Sequence, residues 1–252
     1  MSLAAANKAE FNKMAAEYDL KPAFLKINAQ LAEAIRDRLE WIGIDWVSEE
    51  DKPEDGKEIH LLDYACGTGV VSRALGPYVT HTLGIDISPG MVAKFNEHAQ
   101  KAGLDPERIH AVEGDLCSDP PTVSSTEASS TNFDIAVVCA GFHHFNDTEL
   151  ATKRLAERLK PGGVLVIIDF LNPSGTQGQV PEDVKHMVKV AGFDEPTMRR
   201  LFEGAGLVDF NLWVMPEKVV LEREKDGKTT RLERTVFFAR GGSRLNSYCV
   251  LP

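Results

Sequence analysis

The chain has 252 residues, with 38 acidic and 28 basic side chains and a formal net charge of −10 at pH 7. An α/β domain of this length can close one hydrophobic core, so we expect a single fold. The acidic balance argues against a nucleic-acid partner, because such partners bind basic patches that displace counterions, and it favours a small-molecule or protein substrate.

The chain is predicted to begin with a helical cap, residues 1–47, that belongs to the same domain as the core. Apolar residues between Phe24 and Ile42 recur at three- and four-residue spacing, which is typical of one face of an amphipathic helix. Residues 48–58 are acidic, contain a proline and a glycine, and have little apolar surface to bury, so they are predicted to form a solvated linker. The core is predicted to span residues 59–252.

Short β-rich runs then alternate with helical patterns, which predicts an α/β fold with a doubly wound, mostly parallel, Rossmann-like sheet. Strands are expected at 59–65, 82–86, 109–113, 133–139 and 164–170, and helices at 91–101 and 148–159. The Ser/Thr/Pro-rich stretch 118–131 has no periodicity and is predicted to be a surface loop.

The C-terminal part is predicted to contain two helices, at 184–191 and 195–205, followed by a strand at 207–214. Two further strands, 218–225 and 229–239, are separated by Asp226-Gly227, which is a strong hairpin signal. The fold class that we expect is a seven-stranded sheet with an antiparallel last strand.

Residues 63–69, Asp-Tyr-Ala-Cys-Gly-Thr-Gly, join the first core strand to a helix. Gly67 and Gly69 lack a Cβ, so the backbone can bend sharply and approach a ligand, and the helix N-terminus offers unpaired amide donors. The turn therefore predicts a site for a nucleotide-like cofactor. A similar turn binds nicotinamide and flavin cofactors, so the turn alone does not decide between them.

Two carboxylates follow neighbouring strands. Asp86 ends the second core strand, where a carboxylate can accept hydrogen bonds from both hydroxyls of a ribose, and Asp115 follows the third strand, where it could accept from an adenine amino group. Ligands of open α/β sheets bind beyond the carboxyl ends of the strands, so we expect these side chains to meet at one site.

Six ordered segments together resemble class I S-adenosylmethionine-dependent methyltransferases, in particular the small-molecule branch of ubiquinone and menaquinone biosynthesis. They cover about residues 59–170 and lie at 63–69, 84–91 (Gly-Ile-Asp-Ile-Ser-Pro-Gly-Met), 114–116 (Gly-Asp-Leu), 133–134 (Phe-Asp), 141–145 (Gly-Phe-His-His-Phe) and 159–163 (Leu-Lys-Pro-Gly-Gly). The resemblance implies S-adenosylmethionine as cofactor, with S-adenosylhomocysteine as product.

The resemblance also implies which positions contact the cofactor: Tyr18, Asp63, Ala65, Gly67, Gly69, Asp86, Ile87, Met91, Asp115, Leu116, Cys139 and Ala140. The 63–69 turn and the backbone of 139–140 would surround the methionine part, Asp86 the ribose, and Met91, Asp115 and Leu116 the adenine. Ala65 departs from the family pattern, which has glycine there. Tyr18 has two interpretations, as a residue that closes over the cofactor or as a contact between cap helices.

His143 and His144 follow the fourth core strand, where the activated methyl group should point. Methyl transfer is an in-line displacement, so alignment and exclusion of water matter most, and a base is needed only for a protonated nucleophile. A neutral imidazole could act as that base. The alternative is that both histidines shape the pocket.

The leading functional hypothesis is methyl transfer to an O, N, S or C atom of a small organic acceptor. A protein methyltransferase and an inactive, cofactor-binding subunit of a heteromeric complex are the alternatives, so a protein partner stays open. A nicotinamide-dependent oxidoreductase is disfavoured, because Ser72 stands where the third glycine of the dinucleotide fingerprint would be.

No metal is expected, because the sequence shows no zinc-type spacing of His, Cys, Asp and Glu. The four cysteines form no Cys-x-x-Cys pair, and there is no leader-like segment or apolar run long enough to span a bilayer. These features predict a cytoplasmic protein without membrane insertion. Cys249 lies in a bare prenylation template that ends in an unusual proline, which leaves its lipidation open.

Overall fold

A computed structural model describes residues 2–47, 56–118, 120–123, 131–172, 180, 182, 184–225 and 228–245. Several sequence predictions fall outside these residues: most of the 48–58 linker, most of the 118–131 loop, the Asp226-Gly227 turn and Cys249. Among the described helices, none is long and apolar enough to cross a membrane.

The N-terminal part is helical, with α1 at Leu3–Met14, a 3-10 turn at Tyr18–Leu20, α2 at Pro22–Arg36 and α3 at Leu39–Ile42. The apolar stripe of α2 is buried, and Ile27, Leu31 and Ile35 lie in the same hydrophobic cluster as residues of the central sheet. The single predicted amphipathic helix is therefore two helices, separated by residues 37–38, and the second ends at Gly43, whose φ of +80° is left-handed.

The central sheet has seven strands, in the order β3-β2-β1-β4-β5-β9-β6. The first five are β1 His60–Tyr64, β2 His81–Asp86, β3 Ile109–Glu113, β4 Phe133–Cys139 and β5 Leu159–Phe170, and they are parallel to one another. The predicted doubly wound, mostly parallel sheet is confirmed. Strand β4 is buried along its whole length, as expected for a central parallel strand covered on both faces.

The connecting helices are α4 at Val70–Leu75, α5 at Pro89–Lys101 and α6 at Thr148–Ala156, and α7 at Glu195–Gly204 precedes the last part of the sheet. Three of them begin with a side-chain cap: the side chains of Ser88, Asp147 and Asp194 each accept a hydrogen bond from a backbone amide of the first turn. These caps explain where the helices start after their strands.

The remaining strands are β6 Val208–Val214, β7 Val219–Lys225, β8 Lys228–Arg234 and β9 Val236–Gly242. Strand β9 is antiparallel to both β5 and β6 and lies between them, which confirms an antiparallel last strand. The predicted strand 229–239 is in fact two strands. Its first half pairs with β7 as a separate two-stranded ribbon, and only the second half enters the central sheet.

The helix predicted at 184–191 is wrong. That segment makes a single turn, in which the amides of Met187 and Val188 both donate to the carbonyl of Val184. Its other backbone groups bind the 142–144 turn instead: Lys189 N donates to the carbonyl of His143, and the carbonyl of Met187 contacts the His144 ring. Tertiary hydrogen bonds have replaced those that a helix would supply.

Candidate active site

A cavity of about 540 Å³ lies at the carboxyl ends of β1, β2, β3 and β4. This volume is in the range of small-molecule sites, and the position is where open α/β sheets bind ligands. The opposite wall is formed by α1, by the 3-10 turn and by Asn28 and Leu31 of α2. The helical cap therefore closes a site whose floor is the edge of the sheet.

The structure brings most of the predicted site residues to this cavity. Those that line it are Tyr18, Ala65, Gly67, Asp86, Ile87, Met91, Asp115, Cys139, Ala140 and His144. Four predicted residues do not line it: Asp63, Gly69, Leu116 and His143. Their positions indicate supporting rather than contacting roles.

The two glycines of the 63–69 turn are required for different reasons. A Cβ on Gly67 would meet no protein atom within 4 Å, so the open space beside it belongs to the cavity. A Cβ on Gly69 would lie 2.8 Å from Cδ2 of Phe95, so Gly69 allows α5 to pack against the turn. Both have left-handed φ, +51° and +92°, which favours glycine.

Ala65 adopts a φ of +55°, a conformation that is strained for a residue with a Cβ. The family resemblance puts glycine at this position, and the dihedral explains why. The neighbouring wall is correspondingly tight, since a Cβ on Gly141 would lie 3.1 Å from the Cβ of Ala65. The alanine is therefore accommodated by a glycine on the facing loop.

Asp63 is a buried residue that holds the glycine-rich turn in place. It is 1% exposed, and its Oδ2 accepts hydrogen bonds from the backbone amide of Ser72 at 3.1 Å and from the Ser72 hydroxyl at 2.6 Å. Burial raises the pKa of Asp63 to about 7, while the Ser72 bonds oppose this shift. Asp63 thus joins the end of β1 to the first turn of α4.

Asp86 presents a carboxylate to the cavity in a defined orientation. Its Oδ2 accepts from the Gly67 amide at 2.9 Å and its Oδ1 from the Ser88 amide at 2.8 Å. Burial raises its pKa, and the two amide bonds oppose that rise. Each carboxylate oxygen keeps a second acceptor position, which is what a vicinal diol requires.

The wall next to β3 depends on Tyr64, which the sequence reasoning had not selected. Its hydroxyl donates to Oδ1 of Asp115 at 3.0 Å and accepts from the amide of Leu116 at 3.1 Å. The amide of Cys117 also donates to Asp115 Oδ1, at 2.7 Å. The hydroxyl of Tyr64 and the amide of Cys117 therefore hold the carboxylate of Asp115 in place. Leu116 is buried, with 1% of its surface exposed. No sequence signal marked Tyr64, since an aromatic residue in a buried strand is ordinary.

Cys139 and Ala140 end β4 at the cavity wall. Ala140 has a φ of +53°, and its amide donates to the carbonyl of Ile168 at 2.8 Å, so that amide is committed to the sheet. Burial raises the pKa of the Cys139 thiol well above its usual range. Cys139 is therefore a neutral wall residue, and the groups that this segment can offer a ligand are backbone carbonyls.

Tyr18 contacts a helix of the cap, as one interpretation of its sequence context expects. It stacks on Phe24 of α2, with ring centroids 4.6 Å apart, and it also lines the cavity, so that its closure over a cofactor stays a prediction. Burial raises its pKa to about 12. The next residue, Asp19, accepts a hydrogen bond from the Thr68 hydroxyl at 2.9 Å, which ties this turn to the glycine-rich turn.

Helix α1 crosses the open side of the cavity and is tied down at several points. Asn12 Oδ1 accepts from the Gly90 amide at 2.8 Å, and Lys8 forms an ion pair with Glu113. Phe11 contacts the edge of His144, with centroids 5.2 Å apart. The sequence did not reveal these contacts, because each joins residues far apart in the chain.

His143 does not line the cavity. It is 8% exposed, its Nδ1 lies 2.8 Å from Asp169 Oδ1, and its amide donates to Asp169 Oδ2 at 3.0 Å. Burial alone would raise the pKa of Asp169, but the adjacent His143 and the hydrogen bonds donated to the carboxylate lower it overall. His143 and Asp169 form a buried pair that fixes the turn after β4.

His144 lines the cavity, but as a very weak base. Its Nδ1 lies 2.6 Å from the carbonyl of Met187, and since a carbonyl only accepts, Nδ1 carries the proton. Burial, and secondarily the neighbouring His143, lower the pKa of His144 to about 3. The ring is therefore neutral at physiological pH and is held in one orientation.

The depressed pKa of His144 predicts a pH-dependent contribution to stability. An unfolded histidine titrates near pH 6.5, so between about pH 6.5 and 3 the unfolded chain binds the extra proton and stability falls as pH falls. Between pH 7 and pH 5 the wild type should lose about 2 kcal/mol of unfolding free energy relative to His144→Phe, because the variant lacks this titrating group.

Urea titrations at each pH measure this difference. The comparison with the variant is needed because Asp63, with its raised pKa of about 7, contributes with the opposite sign in the same window. Above pH 7 the difference between the two proteins should be constant. A constant difference down to pH 5 would contradict the burial of a neutral His144.

Known proteins share both the sequence pattern and the fold. A family profile described as a methyltransferase domain matches residues 61–163, which include the glycine-rich turn and Asp86. An uncharacterized methyltransferase of Schizosaccharomyces pombe is 34% identical over 185 residues, which are 68% of this chain and 64% of that protein. Residues 61–163 of this chain form a methyltransferase domain. The family resemblance inferred from the six sequence segments is confirmed.

Two further proteins are similar to this chain. The demethylmenaquinone methyltransferase of Corynebacterium kroppenstedtii is 28% identical over 165 residues, 65% of this chain and 59% of that enzyme. The structure of phosphoethanolamine N-methyltransferase 2 of Haemonchus contortus with S-adenosylmethionine has a TM-score of 0.66 and 15% identity, covering 97% of this chain and 60% of that one. The latter likeness shows a common fold. The chain spans less than two thirds of the length of these relatives.

Proposed function

We propose that this chain transfers a methyl group from S-adenosylmethionine to a small organic acceptor. The observation that carries the proposal is the carboxylate of Asp86, held by the amides of Gly67 and Ser88 beside the open space at Gly67. A ribose diol fits the two free acceptor positions of this carboxylate, and the methionine part fits beside Gly67. S-adenosylmethionine would supply the electrophilic methyl group, and the residues of the chain would bind and orient it.

Calorimetric titration tests the cofactor assignment. Purified protein should bind S-adenosylmethionine and S-adenosylhomocysteine, and should not bind oxidised or reduced nicotinamide nucleotides in the same concentration range. Binding of the nicotinamide nucleotides alone would overturn the proposal. Transfer of a labelled methyl group to candidate acceptors then separates an active enzyme from an inactive cofactor-binding subunit, and gel separation of the products distinguishes protein from small-molecule acceptors.

We also propose that catalysis rests on alignment rather than on a histidine base. His143 is paired with Asp169 outside the cavity, and His144 has a pKa near 3, too low for efficient proton removal near neutral pH. Both residues fix the turn that forms the wall at the end of β4. Their role would be to place the acceptor in line with the sulfonium and to exclude water.

Helix α1 is proposed to close over the bound cofactor. Gly90 is the contact that can be tested, because a Cβ there would lie 2.8 Å from Asn12 Oδ1 and 2.9 Å from the Cβ of Ala15. Gly90→Ala should push α1 away and lose a hydrogen bond worth about 0.5–1.5 kcal/mol, which corresponds to up to about tenfold weaker binding of S-adenosylhomocysteine.

Gly204→Ala is the matched control, since Gly204 is also helical and a Cβ there meets nothing within 4 Å. Calorimetry measures the affinities, and limited proteolysis within α1 reports whether the helix has been displaced. Equal affinity and equal protease resistance in both variants would contradict closure by α1.

The lining of the cavity suggests that the acceptor is not an anion. None of the described residues that line it is a lysine or an arginine, whereas Asp86, Asp115 and Asp147 do line it. Lys189 reaches Asn146 Oδ1 at 3.4 Å but does not line the cavity. None of the described lining residues would pair with a buried carboxylate or phosphate, and burying a charge without such a partner costs several kcal/mol. We therefore propose a neutral or cationic acceptor.

A neutral acceptor and its carboxylated analogue should differ in kcat/KM by about 100-fold or more, because roughly 3 kcal/mol of unpaired charge burial corresponds to that factor. Leu3→Lys, which places a cation on the cavity wall, should reduce the difference, whereas Leu25→Lys on the exposed side of α2 should not. Steady-state kinetics measures both. Preference of the wild type for the carboxylated analogue would overturn the proposal.

A further inference from the structure

Three side chains of types that can bind a metal meet where β1 and β2 begin, at the ends of these strands opposite to the cavity. Glu58 lies two positions before His60, the first residue of β1. The parallel register places His81 directly beside His60, and the two imidazole rings stack with centroids 4.6 Å apart and an interplanar angle of 18°. The register of β1 and β2 therefore brings the two histidines together, and Glu58 joins them from the segment before β1.

Their donor atoms are close enough to share one ion. His60 Nε2 lies 3.2 Å from Glu58 Oε2, and one donor atom from each of the three residues lies within 4.8 Å of the others. Tetrahedral zinc with bonds of about 2.0–2.1 Å holds its ligand atoms about 3.3 Å apart, so small side-chain rotations suffice. The side chains of His60 and Glu58 are 37% and 63% exposed, which leaves an open path for the ion and for water.

A hydrogen bond of His81 can support metal binding. Thr80 Oγ1 lies 2.9 Å from His81 Nδ1, within hydrogen-bond distance. In the tautomer in which Nδ1 donates to this oxygen, Nε2 of His81 carries a free lone pair. A second hydrogen bond that fixes the ring in this way is the usual support of a histidine ligand.

The charges around the cluster are mixed. Burial, and then His60, lower the pKa of His81. Arg108 also lowers the pKa of His81, whereas Glu58 raises it. The Nε of Arg108 donates to the carbonyl of Thr80 at 3.1 Å. The carboxylate of Glu58 supplies the negative charge that a dication needs among these ligands.

We propose that Glu58, His60 and His81 bind a divalent transition-metal ion of the zinc class. Two imidazoles and one carboxylate are a ligand set that zinc accepts, with water in the remaining position. Of the residues that the structure describes, these are the three His, Cys, Asp or Glu side chains whose donor atoms converge in this way. The site is separate from the cofactor cavity, since it lies at the opposite ends of the strands, and the ion would join the segment before β1 to β2.

Calorimetric titration of the metal-free, untagged full chain with zinc chloride tests the site. We expect one ion per chain, and a higher melting temperature in the presence of zinc, because a ligand that binds only the folded state stabilises it. His81→Ala and His60→Ala should each weaken binding at least tenfold, and Glu58→Gln should weaken it less. His186→Ala, which removes an exposed histidine outside the cluster, is the matched control and should bind as wild type.

Circular dichroism and binding of S-adenosylhomocysteine show whether each variant is folded, and His81→Gln replaces any alanine variant that is not. No zinc binding by the wild type would overturn the proposal. Unchanged stoichiometry and affinity in folded His60 and His81 variants would also overturn it, and would move the ion to another site, such as the free cysteines Cys66, Cys117 and Cys139.

Discussion

Replacing Asp86 by alanine should weaken the binding of S-adenosylhomocysteine by about 100-fold or more. The carboxylate is 8% exposed and is oriented by the amides of Gly67 and Ser88, so its loss removes two preoriented acceptors for the ribose hydroxyls. A hydrogen bond to a charged group contributes about 1.5–3 kcal/mol, and two of them account for a change of this size. Calorimetry of folded protein measures the affinity.

Glu195→Gln is the control for Asp86→Ala. Glu195 carries the same charge, but it pairs with Arg199 on α7 and does not line the cavity, so its replacement should change the affinity little. Asp86→Asn keeps one acceptor oxygen and should lie between the two. Since Asp86 also holds the Gly67 amide, the melting temperature of each variant must be recorded. Wild-type affinity in a folded Asp86→Ala protein would remove Asp86 from the proposed site.

Replacing Asp169 by alanine should destabilise the protein by about 3–5 kcal/mol. Asp169 is 1% exposed and accepts from the Nδ1 and the amide of His143 and from the amide of Phe170. Removing one member of a buried hydrogen-bonded pair leaves the other without its partner, and such losses are of this magnitude. Urea unfolding followed by circular dichroism measures the change.

Asp194→Ala is the comparison that separates the effect of burial from that of losing a hydrogen bond at the surface. Asp194 also accepts a backbone amide, from Thr197, but at the solvated start of α7, where loss of the cap costs about 1 kcal/mol. A double-mutant cycle with His143→Ala should show a coupling between His143 and Asp169, since the two are in direct contact. If Asp169→Ala costs no more than Asp194→Ala, the buried pair does not stabilise the turn after β4.

The methyltransferase fold was predictable from local patterns because most of its strands are buried on both faces. Continuous apolar runs such as 133–139 produce an unambiguous strand, and its predicted bounds agree with β4. The errors occur where local pattern and tertiary pairing compete. The run 229–239 has strand propensity throughout, but only the contacts of Val236–Gly242 with β5 and β6 divide it into two strands.

Part of the candidate site was predictable from the sequence for a similar reason. The glycine-rich turn and the carboxylate of Asp86 belong to short, ordered segments in which residue spacing itself determines the geometry, and both line the cavity. Residues that meet through distant contacts carry no such signal. Tyr64, Asn12 and Asp19 reach their partners across 51, 78 and 49 positions of the chain.

The two histidines show what only the tertiary structure decided. The sequence by itself established that a histidine pair follows β4 at the end of the sheet where a ligand is expected, and it made the two residues equivalent candidates. Their rings lie in contact, with centroids 4.1 Å apart, but one ring meets Asp169 of β5 and the other meets the carbonyl of Met187. The burial and the hydrogen bonds of each ring depend on neighbours that come together only after folding, and these are what lower the pKa of His144.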